Sequence, residues 1–548
     1  MTTETHADLV LRGGRIFTAD AARTWAQALA VRDGRITAIG GDPAINATIG
    51  PRTRVIELRG RTVTPGFGDA HCHPPMGGLA RLGCDLHDAR GLGEYLAIVA
   101  AYVQANPDVE WIDGGGWNLA DFPGGLPRRE DLDRICSDRP IFLPNRDGHD
   151  AWVNTKALEI AGISRDTPDP ADGRIARDED GEPLGTLHEG AMEVVRRLIP
   201  PADEATTRRA ILESQRYLHG LGITNWQDAW VTPETEEGYK LLAASGELTA
   251  RVVGAMWWER DQGLEQIDDF VERRAKGVIG RFAATSVKLM CDGIIENQTA
   301  SVTEPYYDGH GHQTANRGID FIDPQVLKEA VVRIDALGLQ PHFHALGDRA
   351  VRQALDAVEA ARRTNGWSDT RPHLAHIQVV HPDDFARFRK LGALPNAQPL
   401  WAVLEDQMTE LTLPVLGPTV SARQYPFRSL RANGATLVMG SDWSVSTPDP
   451  FLQMEVAVTR ISPDNRTGEP FLPHEALELA DILAAATAGS AYASHLDEAG
   501  WLGVGRLADL AVLDRDLFDP AEGPIGETHV VGTFIEGVAV HETAGLGG

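Results

Sequence analysis

Two histidines one residue apart, His71 and His73, close the small and apolar stretch TVTPGFGDAHCHP at residues 62–74. In an extended strand residues i and i+2 face the same side, so His71 and His73 point together and Cys72 points away. Two neutral imidazoles converging on one point form a clamp for zinc or a similar cation. A lone His-x-His pair fits packed or surface histidines equally well, so the other strands decide. His344 lies in QPHFHALGD, His376 in LAHIQ, and Asp442 in VMGSDWS. Lys288 lies in SVKLMCDG among apolar strand residues, where burial of a charge is costly. Each group falls near the C-terminal end of a different predicted strand, where barrel enzymes place their catalytic residues. Coincidence on five strand ends points to a metal site rather than to packing.

The elements that must position these groups follow from texture. DLVLRGGRIFTAD and ALAVRDGRITAIGG read as short strands with glycine turns, RDGR carrying an Asp-Gly hairpin signal. Residues 75–185 are rich in Gly, Pro, Asp and Trp and are expected to be irregular, as surface or lid. Helical and strand patterns then alternate, which implies a parallel sheet. Counting the strand that ends at His73, eight strand candidates are present, the number that closes a (β/α)8 barrel. Near the C-terminus GRLADLAVLDRD and HVVGTFIEGVAVHE return to hairpin texture. No internal repeat or low-complexity tract interrupts this order.

Bulk properties bound the function. A chain of 548 residues predicts two or more domains, or one large barrel with additions. The 51 Lys and Arg against 79 Asp and Glu give a net charge of −28, which argues against nucleic acid or an anionic membrane as partner. A small-molecule substrate is expected instead. The four cysteines include no C-x-x-C and no disulfide spacing. No secretory signal and no membrane-length apolar run is read, so a reducing cytoplasm is the default expectation.

In combination, TPGFGDAHCHP, RDGHDAWVNTKAL, VKLMCDGIIENQTASVTEPY, HALGDRAV, AHIQVVHPDD, YPFRSL, GSDWSV and GVGRLADLAVLD resemble the amidohydrolase superfamily. They are most similar to its amidohydrolase-3 or YtcJ-like branch, which includes N-substituted formamide deformylases. The resemblance covers nearly the whole chain. It implies an α/β fold: a distorted (β/α)8 TIM barrel at 62–495 with an inserted lid-like segment at about 75–185. A small β-sandwich would be built from residues 1–61 and 496–548. It further implies two divalent metal ions, most simply zinc. His71 and His73 would bind one with Asp442, and His344 and His376 the other. Lys288, carboxylated by CO2, would bridge both, which also resolves the buried charge. Water bound to such metals has its pKa lowered towards about 7. Asp442 would take the water's proton and pass it to the leaving amine. Cleavage of an amide, N-acyl or N-formyl C–N bond is the expected reaction, and a homodimer the expected assembly.

Other residues carry weaker expectations. His342 shares the face of His344 and could be the ligand in its place; the match of HALGD to the family pattern implies His344, with His342 filling the barrel one layer deeper, whereas His373, of opposite parity to His376, is expected to face the surrounding helices. Cys72 and Cys291 read as small packed residues. Arg146, His149 and Asn154 belong to the inserted segment; they either contact substrate or stitch the insertion together. Trp117, Tyr306 and Trp401 are candidates for an apolar substrate pocket, with packing the alternative. Glu296 and Asn297, just past Lys288, are candidates for substrate contact. Arg146 with Arg428 could receive an anionic substrate. A one-metal deaminase of the same superfamily is the alternative, against which stand Lys288 and the lack of a clear His-x-x-Glu element. A non-catalytic scaffold fits poorly with six ligands present.

Overall fold

The computed structural model describes residues 6–87 and 89–546. Residues 1–5, 547 and 548 of the expected sandwich, and residue 88 of the insertion, lie outside the described residues. All eight expected barrel segments form strands: Phe67–Cys72, Ile223–Val231, Arg251–Trp257, Phe282–Met290, Gln340–Ala345, His373–His376, Leu394–Ala397 and Val438–Met439. They pair in that order as a parallel sheet. The sheet is a nearly closed barrel. Its eighth strand meets the first through Asp442 N donating to His71 O at 2.7 Å and Ser441 N donating to Asp69 Oδ1 at 2.9 Å.

Alternation along each strand sorts the side chains. In the fourth strand Val287 and Leu289 pack with helix residues such as Leu327 and Ile334, which turns Lys288 to the barrel interior. The fifth strand does the same with Phe343, leaving His342 and His344 inside. The outer helices carry apolar residues at helical spacing. In Asp348–Asn365 the buried set Val351, Ala354, Leu355, Val358 and Ala361 forms one stripe against the sheet. Helix Glu204–Gly220 is started by Asp203, whose side chain accepts from Thr206 N at 2.8 Å.

The two chain ends build two further sheets. One joins Leu9–Arg12, Ala28–Arg32, Arg35–Gly40 and Arg54–Glu57. The other joins Arg15–Phe17, Trp25–Ala26 and Thr62–Pro65 with Leu510–Leu513, Val530–Ile535 and Val538–Glu542. Leu11, Val31, Val63, Leu510 and Phe534 pack in the core between them. Thr62–Pro65 pairs antiparallel with residues 510–512, so this sheet runs four residues past the expected end at residue 61.

The segment at 75–185, expected to be irregular, is ordered. Cys84–Asp85, Ile112–Gly115, Ile141–Pro144, Asp150–Val153, Gly173–Arg177 and Pro183–Glu189 form a six-stranded sheet. These strands are two to seven residues long, too short for alternation to stand out between glycine and proline turns. Their core includes Tyr95, Trp117 and Trp152, and it continues into Ile295, Leu346 and Val379 just past barrel strand ends. The insertion is thereby seated on the C-terminal end of the barrel.

Candidate active site

The six candidate ligands come together at that end. Asp442 Oδ1 lies 3.1 Å from His71 Nε2 and 3.0 Å from His73 Nε2, and its Oδ2 lies 3.7 Å from His376 Nδ1. Lys288 Nζ is 3.3 Å from His71 Nε2. The rings of His71 and His376 are 4.8 Å apart, and those of His376 and His344 are 4.4 Å apart. Among the described residues, His71, His73 and Asp442 are a group whose ligand atoms lie within 4.8 Å of one another.

Local backbone aims these groups. His73 ends the first strand's run and precedes helix Pro74–Leu82, whose leading prolines start it. Asp442 at φ 58° and His376 at φ 77° have left the extended conformation, an uncommon state for residues with side chains. This turn at His376 overturns the parity expectation for His373. His373 is fully buried inside the barrel, its ring 3.8 Å from that of His342. His376 also points inward because the alternation breaks at its own backbone. Two buried carboxylates brace the ligand loops. Asp69 accepts from His71 N at 3.1 Å and from Ser441 N, tying the first strand to the eighth. Asp292 accepts from Ser301, Leu346 and Gly347 backbone N–H groups at 2.8–3.0 Å, behind His344.

Burial sets the charge states. It lowers His71, His344 and His376 well below the ordinary imidazole value, so these rings are neutral and able to ligate. Burial opposes ionisation of Asp442, but His71 and His376 outweigh it and hold the carboxyl well below its usual range. Lys288 is lowered by burial from 10.5 to about 8, against the pull of Asp442. Burial pushes the thiols of Cys72 and Cys291 well above their usual value, which leaves them unreactive.

A cavity of about 1710 Å³ opens above the cluster. Of the predicted substrate residues, Arg146, His149, Glu296 and Trp401 line it. The Trp401 ring stacks over His376 at 5.4 Å and 10°. His149 Nδ1 meets Glu189 Oε2 at 2.9 Å, and burial notwithstanding, that carboxylate raises the imidazole to about 9. Four other candidates do not line it. Trp117 is fully buried in the insertion's core, its Nε1 donating to Leu143 O at 2.7 Å. Tyr306 is buried with its hydroxyl on Ala300 O at 2.8 Å. Asn297 Nδ2 donates to Asp150 Oδ1 at 3.1 Å, away from the cavity wall. Arg428 is exposed on helix Phe427–Ala432 and does not join Arg146. Trp117 is core because it lies within the insertion itself, and Tyr306 because its loop packs against the insertion. Asn154 caps helix Thr155–Ala161 and binds Cys136 O and Arg139 O, so its role is to stitch the insertion.

Sequence reasoning missed Trp230 and Trp257, which stack at 4.4 Å and 16° in the cavity wall, Trp230 lying 6.5 Å from His73. Their position at the ends of the second and third strands was the available signal. It also missed Glu189, which has no regular spacing to any ligand.

With this geometry in view, residues 54–541 match the amidohydrolase family. The protein belongs to that family. Protein LONG AFTER FAR-RED 3 of Arabidopsis thaliana is 30% identical over 97% of this chain and 91% of its own length. N-substituted formamide deformylase of Arthrobacter pascens is 27% identical over 98% of this chain and 99% of its own. A metal-dependent hydrolase from Pyrococcus furiosus superposes with a TM-score of 0.72 at 25% identity, covering 93% of this chain and 99% of that one. The protein is accordingly a hydrolase of the amidohydrolase superfamily. Among the described residues, no helix is long and apolar enough to cross a membrane.

Proposed function

We propose that this amidohydrolase cleaves a carbon–nitrogen bond, of the amide, N-acyl or N-formyl type, in a small molecule. The observation that carries the reading is the convergence of His71, His73, Lys288, His344, His376 and Asp442 beneath one cavity. The residues fit divalent cations. The imidazoles shown to be lowered are neutral, the carboxylate is ionised, and His73 Nδ1 and His376 Nδ1 are buried with no hydrogen-bond partner. His71, His73 and Asp442 would hold one zinc ion and His344 and His376 a second, with Lys288 as a bridging carbamate. Bound there, such cations supply Lewis-acid polarisation of a carbonyl and a water of lowered pKa.

The chain's own groups do the rest. Asp442, ionised and at the centre of the cluster, accepts the attacking water's proton on a carboxylate oxygen and returns it to the leaving nitrogen. The thiols of Cys72 and Cys291, held protonated by burial, leave no cysteine nucleophile in the cluster. Trp401 supplies an apolar face beside the reacting centre, and Arg146, His149 and Glu296 supply polar contacts from the insertion side.

The test is metal analysis with a substrate screen. N-formyl compounds head the screen because a formamide deformylase is among the relatives, followed by N-acyl compounds, lactones and carbamates. About two metals per chain are expected, whereas about one with ammonia release supports a deaminase. His71→Ala should lose both bound metal and turnover; a variant retaining both overturns the assignment.

A further inference from the structure

Below the candidate ligands the barrel interior is polar where packing would favour aliphatic side chains. His71 Nδ1 lies 2.6 Å from His342 Nε2, and both residues are fully buried. His342 sits two residues before His344 on the fifth strand, one layer deeper than the cluster. Its ring is 3.8 Å from that of His373, whose Nδ1 meets Asn396 Nδ2 at 3.2 Å. The Asn396 amide is oriented independently, with Nδ2 donating to Ala70 O at 3.1 Å and Oδ1 accepting from Gln398 Nε2 at 3.0 Å.

Hydrogen placement follows from these contacts. A neutral imidazole carries one ring hydrogen. A cation at His71 Nε2 requires that nitrogen's lone pair, so the hydrogen must sit on Nδ1. His342 Nε2 is the acceptor in place. Metal-bound histidines ordinarily give their second N–H to a carboxylate, a backbone carbonyl or a water. Here a second imidazole fills that role.

We propose that His342 is the positioning residue that fixes the tautomer and orientation of His71, keeping His71 Nε2 available to a cation. The inference rests on His71 being a metal ligand, as set out under the proposed function. His342 then carries its hydrogen on Nδ1, which has no partner in the structure. Donation from Asn396 places the His373 hydrogen on Nε2, which also has none. One strand therefore supplies a ligand, His344, and the brace for a ligand on another strand.

The experiment measures zinc affinity of the full-length protein by competition with a chromophoric chelator, for wild type, His342→Leu, His342→Gln and His71→Ala. His342→Leu keeps bulk and removes the acceptor, so affinity should fall about 10- to 100-fold. His342→Gln places a carbonyl oxygen near the former Nε2 and should stay within about threefold of wild type. Packing alone would not separate Gln from Leu in this order. Leu at wild-type affinity, or Gln falling as far as Leu, overturns the proposal. Should the Leu variant fail to fold, 15N-histidine NMR of zinc-loaded wild type, assigned by difference with His71→Ala, must show His71 protonated on Nδ1; an Nδ1 without hydrogen overturns it equally. His71→Ala that keeps full zinc would instead sink the metal-site reading itself.

Discussion

One methyl group should test whether barrel closure sets the site. Gly440 follows the eighth strand and lies two residues before Asp442. A Cβ at this position would stand 2.6 Å from His71 Cβ, 2.8 Å from His71 N and 2.8 Å from Asn396 Oδ1. The first contact is roughly 1 Å inside the about 3.5 Å at which carbon atoms pack well. The clash cannot be relieved by a flexible side-chain end, because Cβ and backbone of the first strand are what it meets. Nor can the eighth strand simply retreat, since Gly440 N donates to Ala397 O at 3.1 Å and Asp442 N to His71 O at 2.7 Å. Gly440→Ala should therefore push Asp442 from His71. Overpacking of this kind costs about 1–3 kcal/mol of stability, and a misplacement of about 1 Å at a reacting group costs about 100-fold in rate. Thermal melts give the first quantity, and kcat/KM of the metal-loaded variant gives the second. Wild-type melting together with wild-type kcat/KM would refute the reasoning.

Stability should also depend on His219, whose ring bridges Ile223 O at 2.9 Å and Thr249 Oγ1 at 2.8 Å. Burial lowers it from 6.5 to about 4. Between those values the unfolded chain binds the extra proton, so stability is lost as pH falls from 6.5 towards 4, by on the order of 3 kcal/mol. His219→Gln should flatten urea midpoints across that window, and an unchanged acid slope would count against it. Trp401→Ala removes the face stacked over His376 and should raise KM about 2- to 10-fold with a smaller change in kcat; an unchanged KM excludes Trp401 from substrate contact. Stripping metal with a chelator should lower the melting temperature, and zinc at about 100-fold over its Kd should restore about 2.7 kcal/mol. Identical melts with and without zinc would contradict binding to the folded state.

The barrel was legible because eight apolar segments, several followed by amphipathic helices, carry their own periodicity, and each outer helix buries a stripe that local spacing announces. The six candidate ligands were legible for a related reason: charged and imidazole side chains at the ends of apolar strands conflict with burial unless they serve one another. The inserted sheet was not, since strands of a few residues between glycines carry too short a pattern. His373 was misplaced because parity holds only while the backbone stays extended, and the positive φ of His376 is set by the loop it enters.

Residue type and spacing thus determined which groups are available and on which strands they ride. Tertiary structure alone decided which of the loop residues face the cavity. Trp117 and Trp401 are both aromatic residues beside predicted strand ends, yet one is core and the other wall. The difference lies in where the inserted sheet rests, and that is set by contacts between segments far apart in the chain, which no local pattern records.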